Sequence, residues 1–231
     1  MARQGHAARL ARHPEPVVTY IVDRNINYTN ICACGCRFCA FFRPPGHPEG
    51  YVLAREELAA KVEETVALGG YQILLQGGMH PDLHLDFYTG MLAFLRDRFP
   101  GVAVHGFSPP EIVFLAKLEG LSIAEVLAEL KASGLASLPG GGAEILANPI
   151  RGHVSPNKCP ADEWIAVMIG GVGGLCNRYF WATWQPLLAQ GATGSGFCPL
   201  ALRATLVFRW QPRQLFSAFL SWSGFPGGHS A

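Results

Sequence analysis

Residues 169–231 contain no Asp, no Glu and no Lys; their only charged side chains are Arg178, Arg203, Arg209 and Arg213. All 17 acidic residues of the chain lie before that point, whereas four of its five tryptophans lie after it. Charge is scarce overall, at 15%, and nearly balanced at +1, which gives no support to nucleic-acid binding. No apolar run is long enough to cross a bilayer, so no membrane partner is expected. No secretory signal accompanies the seven cysteines, which points to a reducing compartment. Dinucleotide and P-loop fingerprints are both missing. The 231 residues are enough for one sizeable core.

What is present begins at residues 32–39, Cys-Ala-Cys-Gly-Cys-Arg-Phe-Cys. Cys32, Cys36 and Cys39 are spaced C-x3-C-x2-C, with the aromatic Phe38 just before the last. Three thiolates from so short a loop can hold three irons of a 4Fe–4S cluster and leave the fourth without a protein ligand. An open position is what a metal needs if a ligand is to coordinate. Two other readings stay open on spacing alone. The thiols can be buried without metal, or Cys32, Cys34, Cys36 and Cys39 can together hold zinc. Zinc sites usually draw on two separated pairs, and no second C-x2-C pair occurs here. Under the cluster reading Cys34 is an inert neighbour or an oxidation liability.

Along the chain, Arg3, Arg9 and Arg12 precede the first acid, Glu15, but Pro14 and Pro16 interrupt any transit-like helix, and residues 1–16 are expected to be a ragged leader. Residues 17–26 read as a strand that feeds the cysteine loop, and residues 41–50 as an ordered Pro- and Gly-rich loop. A helix is expected over 55–68, with Leu58, Val62 and Val66 on one face and Gly69-Gly70 closing it. Further strands are expected at 71–75, 102–104 and 135–138, and helices at 86–99, after the Ser122/Glu125 capping box, and from 160. Phe87, Met91, Phe94 and Leu95 are the expected inward face of the second helix. The roughly thirty-residue repeat is that of βαβ units, hence a parallel sheet in either a barrel or a doubly wound arrangement.

The polar and glycine-rich motifs all follow strands: the cysteine loop, residues 76–79, residues 108–111 and residues 140–144. In a (β/α) barrel those points share the face where active sites are built. Each also has a plainer reading. Gly77-Gly78 is either a tight turn or a backbone that a ligand approaches closely. Residues 140–142 are either a flexible loop or a nest of N–H groups for an anion. Glu111 and Glu144 are either site acids or solvated loop acids.

The segments TYIVDRNINYTNIC, FCAFFRPPGHPEGYVL, ILLQGGMHPDL, GFSPPEI, SLPGGGAEIL and SPNKCPADEW closely resemble one radical S-adenosylmethionine (radical SAM) family, the cyclic dehypoxanthinyl futalosine synthases of menaquinone biosynthesis. The resemblance covers residues 17–168. Aminofutalosine synthases and deazaflavin (F420-precursor) synthases are sister families. The resemblance implies a partial TIM-type (β/α) barrel of radical SAM type, apparently truncated after its fourth βα unit. It implies that Cys32, Cys36 and Cys39 hold a 4Fe–4S cluster whose fourth iron S-adenosylmethionine chelates. It places Phe38, Gly77 and Gly78 against S-adenosylmethionine, and Ser108, Glu111 and Glu144 on the cofactor and substrate face. In the implied reaction a 5′-deoxyadenosyl radical takes the ribose C4′ hydrogen of a small-molecule substrate, dehypoxanthinyl futalosine. The carbon radical then adds to the benzoate ring, and loss of an electron and a proton restores aromaticity. Reduced flavodoxin or ferredoxin is the implied electron donor, and a prokaryotic cytoplasm the implied location.

The match stops at Met168. The glycine pairs at 170–171 and 173–174 each weaken a helix interior by about 1 kcal/mol per Gly. Together with the loss of acids and lysines, they lead to the expectation that residues 169 to about 214 are translated out of frame. Reading the underlying DNA in its other frames tests this: no frame that restores the family pattern would mean a genuine divergent tail, residues 169–231.

Overall fold

The computed structural model describes residues 2–15 and 20–170. The tail from residue 171 on, with the expectations placed on it, lies outside the described residues, as do Met1 and residues 16–19. The leader is helical over α1 (Ala2–Arg12), where a ragged start is expected.

The core is a four-stranded sheet of β1 (Asp23–Asn27), β2 (Gln72–Gln76), β3 (Ala103–Gly106) and β4 (Leu135–Ser137). The strands lie in sequence order and every neighbouring pair is parallel. A doubly wound sheet needs a point where strand order reverses. None occurs among the described strands, so the arrangement is that of a (β/α) barrel wall. The crossovers are α2 (Arg55–Ala67), α3 (Leu85–Arg98), and the pair α4 (Pro109–Glu119) and α5 (Ile123–Ser133). Two further helices follow β4, namely α6 (Asn148–Val154) and α7 (Ala161–Gly170).

The strand pattern explains the layering. Ile73 and Leu75 of β2 are buried, in register with Val104 and Gly106 on one side and with Arg24 and Ile26 on the other. Leu58, Val62, Leu92, Leu95, Val126 and Leu130 close over this face from the helices. The alternate positions, which point to the opposite face, are largely polar: Asn25, Asn27, Gln76, His105 and Ser137. A sheet with apolar and polar faces in this order buries the first against helices and leaves the second for ligands or water.

Local chemistry sets the ends. Ser122 accepts from the Glu125 N–H at 3.2 Å while Glu125 accepts from the Ser122 N–H at 2.8 Å, the expected capping box. Gly120 ends α4 in the left-handed region at φ 68°.

Three details differ from expectation. The first strand begins at Asp23, not residue 17, because its partner begins at Gln72; the chain before it turns at Gly69, φ 81°. Val66 is 45% exposed, and Thr65 turns inward in its place with its hydroxyl donating to Lys61 O. In α3 the fully buried positions are Tyr88, Met91, Leu92 and Leu95, with Phe87 and Phe94 packed at their edge. The short α6 has no periodic signature, since Pro149 and Gly152 interrupt its seven residues.

Candidate active site

The cysteine loop leaves the C-terminal end of β1 and is tied down on three sides. Cys32 N–H donates to Arg43 O at 2.9 Å, so the Pro- and Gly-rich loop flanks it. Asn30 anchors that loop in turn, donating to Glu49 O and accepting from the Tyr51 N–H. Ala33 N–H donates to Met79 O at 2.9 Å, which attaches the loop to the glycine turn after β2. Arg37 N–H donates to Val154 O at 2.9 Å, and Asn157 Nδ2 donates to Ala33 O at 3.2 Å, so residues 154–157 cover the third side. Gly35, φ 63°, makes the turn that brings the thiols round.

Cys34 and Cys36 are buried with Met79, and Cys32, Cys39 and Phe114 pack against them. Cys34 Sγ lies 3.2 Å from Cys36 Sγ. Cys32 Sγ accepts from the backbone N–H of Cys34 at 3.4 Å and of Met79 at 3.3 Å. The hydrogen bond from the Cys34 side chain brings the Cys32 thiol down to about 6 and the Cys36 thiol down to about 5, against the opposing effect of burial. Those same bonds raise Cys34, which keeps its proton. Cys34 carries a single S–H, so it stabilises a thiolate at Cys32 or at Cys36, one at a time, and a thiolate is the form that ligates iron. Among the described residues no three His, Cys, Asp or Glu side chains stand close enough to hold one metal ion.

The glycine pair is required by the chain's own approach. A Cβ on Gly77 would fall 2.4 Å from the Tyr28 ring, and one on Gly78 would fall 2.1 Å from the Ile31 carbonyl oxygen. Gly78 N–H donates to Thr29 O at 3.1 Å. Gly77 N–H donates to Glu111 Oε1 at 3.1 Å.

Glu111 is 9% exposed and fully engaged. Its Oε1 also accepts from the Tyr28 hydroxyl at 2.6 Å, and its Oε2 accepts from Ser108 N–H at 2.7 Å and Ser108 Oγ at 2.6 Å. Burial pushes its carboxyl up to about 7, against the pull of these four donors toward the carboxylate. Ser108 and Glu111 thus form the capping box of α4, tied to the glycine pair and to Tyr28. Phe107, φ 60°, precedes them in a backbone conformation that costs on the order of 1–3 kcal/mol. Its ring packs edge-on against Tyr28 and Tyr88.

After β4 the glycine run is pinned. Arg151, 2% exposed, donates to the carbonyls of Gly142, Ala143 and Ile145 through Nη1 and to Cys159 O through Nε. Trp164 Nε1 donates to Gly141 O at 2.9 Å. A Cβ on Gly141 would stand 2.9 Å from Gln76 Nε2 and 3.3 Å from Ser108 Cβ, so the motifs of β2, β3 and β4 meet there. Glu144 is partly exposed and binds Lys158 Nζ through both oxygens at 3.0 Å. Lys158 is 9% exposed; burial works against its charge, and the Glu144 carboxylate more than restores it. Its ammonium lies 5.3 Å from the Phe38 ring centroid.

The four motifs therefore share one rim. Cysteine loop and glycine pair are joined at Met79, and glycine pair and α4 cap at Glu111. Lys158 links Glu144 with Phe38. Glu111 turns into the body, and Glu144 is the acid left accessible. Tyr28, Arg151, Ser155 and Lys158 carry no motif of their own. The last two stand in the segment SPNKCPADEW, which no spacing rule connects to cysteines over a hundred residues earlier.

The chain matches the family model described as the radical SAM superfamily over residues 26–168. It is 48% identical over 168 residues to a protein named cyclic dehypoxanthine futalosine synthase from Halalkalibacterium halodurans, covering 73% of this chain and 45% of that protein. It is 44% identical over 162 residues to a 5-amino-6-(D-ribitylamino)uracil–L-tyrosine 4-hydroxyphenyl transferase from Methanopyrus kandleri, covering 70% and 44%. The crystal structure of a methylornithine synthase superposes with a TM-score of 0.58 at 15% identity, over 75% of this chain and 48% of that one. That likeness is one of fold. The chain spans less than half the length of these relatives.

Proposed function

We propose the following reading for a chain that belongs to the radical SAM superfamily, whose members use a 4Fe–4S cluster and S-adenosylmethionine: it cyclises dehypoxanthinyl futalosine in menaquinone biosynthesis. In this reading Cys32, Cys36 and Cys39 hold the cluster, and Cys34 stays a protonated neighbour. One-electron reduction of the sulfonium of S-adenosylmethionine is the chemistry that the bound cluster supplies. The chain's own residues orient and enclose. Glu111 and Tyr28 fix the Gly77 turn against the cysteine loop, where the methionyl end of S-adenosylmethionine is received. Phe38, Ser108 and the accessible Glu144 flank the space where cofactor and substrate meet, and Lys158 holds the Glu144 carboxylate in place through both oxygens. The electron donor is a reduced flavodoxin or ferredoxin, and the location a prokaryotic cytoplasm.

The observation that carries this reading is the attachment of the glycine turn to the cysteine loop, Met79 N–H to Cys32 Sγ, in a segment 48% identical to a futalosine cyclase. A second reading is favoured by the 44% identity to a transferase named for a ribitylaminouracil and tyrosine. Dehypoxanthinyl futalosine and the uracil–tyrosine pair, each supplied with S-adenosylmethionine and dithionite to anaerobically reconstituted protein, separate them. Mass spectrometry follows 5′-deoxyadenosine and product. Cyclised product from the first supports the proposal; coupled product from the second alone refutes it.

A further inference from the structure

Among the described residues one buried side-chain nitrogen or oxygen has no hydrogen-bond partner, Ser155 Oγ. Ser155 is 1% exposed, so bulk water does not reach it. An orphaned buried hydroxyl costs about 1–3 kcal/mol, and native structures rarely keep one without a reason.

Its position supplies the reason. Ser155 follows α6, and its neighbours on both sides bind the cysteine loop. Val154 O accepts from Arg37 N–H at 2.9 Å, His153 Nε2 meets Arg37 Nη1 at 3.1 Å, and Asn157 Nδ2 donates to Ala33 O at 3.2 Å. The segment is thus clamped over residues 33–37 with Ser155 at its centre. The backbone groups of Ser155 are used, its N–H by Arg151 O and its carbonyl by Lys158 N–H, so only the hydroxyl is left over. Because Val154 is bound to Arg37 and Asn157 to Ala33, the leftover hydroxyl lies beside the loop at Cys36, where the loop's sulfurs are the acceptors on offer.

We propose that the Ser155 hydroxyl is a positioning donor to the sulfur environment at Cys36, and that it raises the reduction potential of the bound cluster. The inference rests on the cluster assignment above. Hydrogen bonds to ligand sulfur favour the reduced, more negative cluster, and they are one of the terms that set such potentials. Lys158, whose ammonium also acts on Cys36, is already neutralised by Glu144. Ser155 is therefore the uncharged donor of this wall, adding a hydrogen bond without altering net charge. The role is not catalytic, because the hydroxyl touches a ligand and not a reacting atom.

The test uses the full chain, reconstituted anaerobically with iron and sulfide. Iron and sulfide are counted first, and an electron paramagnetic resonance redox titration then gives the midpoint potential of wild type, Ser155→Ala and Ser155→Thr. The expected result is equal iron in all three, a midpoint shifted to more negative potential in Ser155→Ala, and a midpoint near wild type in Ser155→Thr. Electron–nuclear double resonance of the reduced wild type in water and deuterium oxide is expected to show an exchangeable proton coupled to the cluster that Ser155→Ala lacks. An unmoved midpoint in an iron-loaded Ser155→Ala overturns the proposal. So does a wild-type spectrum without an exchangeable proton, which needs no variant to fold. Wild type that binds no iron overturns the cluster assignment itself, a failure distinct from the other two.

Discussion

The Tyr28 hydroxyl donates to Glu111 Oε1 at 2.6 Å, joining the residue just after β1 to the first turn of α4. The same oxygen accepts the Gly77 N–H, so one buried carboxylate holds three strand ends together. Tyr28→Phe removes a hydrogen bond to an acidic group and is expected to cost about 1.5–3 kcal/mol. Urea unfolding at unchanged m-value checks it.

Glu111 also gives stability a pH signature. Its folded pKa, about 7, lies above the ordinary value of 4.5, so between these limits the folded state holds a proton that the unfolded state has released. Stability from this group is therefore complete below about pH 4.5 and is lost as pH rises toward 7. Glu111→Gln cannot titrate. The wild type's stability minus that of Glu111→Gln is expected to fall across this window by a few kcal/mol, at about 1.4 kcal/mol per pKa unit. A difference that stays level from pH 4.5 to 7 would sink the assignment.

Two glycines should respond differently to alanine. Gly78→Ala drives a Cβ to 2.1 Å from the Ile31 carbonyl oxygen, so the backbone entering the cysteine loop must move. It is expected to lose most iron binding as well as stability. Gly35→Ala meets no atom within 4 Å and bears only the left-handed conformation, about 1–2 kcal/mol. Iron content of the two reconstituted variants, compared with their unfolding midpoints, separates clash from strain.

Cys34 is the test of ligand identity. Cys34→Ala is expected to keep wild-type iron and sulfide, whereas alanine at Cys32, Cys36 or Cys39 abolishes retention of the cluster. Colorimetric iron and sulfide determination after desalting reads this directly. Loss of metal in Cys34→Ala would favour a four-thiolate site.

Lys158 and Glu144 should be coupled. The ammonium is largely buried and the carboxylate partly exposed, which puts the pair above an open surface ion pair. Lys158→Met and Glu144→Gln are each expected to destabilise, and the double variant to lose about 1 kcal/mol less than their sum. Strict additivity in a double-mutant cycle would mean that the contact contributes nothing.

The strand–helix alternation from residue 71 to 138 was legible because each element is local: a short apolar run, a glycine, an amphipathic helix. The limits of β1 were not, since where it starts depends on where its partner turns at Gly69. Ser108 and Glu111 repeat the S-x-x-E pattern of Ser122 and Glu125. Only the second pair reads as a cap from sequence, because Pro109 and Pro110 and a place just after a strand give the first pair the look of a site loop. The cysteine loop announced itself by spacing. Ser155 and Lys158 did not, because their nearness to Cys36 comes from the fold of β4 and α6, which no local pattern encodes.

The central claim is that three cysteines of one loop hold an iron–sulfur cluster with one iron open to S-adenosylmethionine. Electron paramagnetic resonance of the reconstituted, dithionite-reduced chain tests it most directly, recorded with and without S-adenosylmethionine. The account predicts a reduced 4Fe–4S signal whose g-values change when S-adenosylmethionine is added. A reduced cluster signal unchanged by S-adenosylmethionine, or a preparation that retains zinc and no iron, would contradict it.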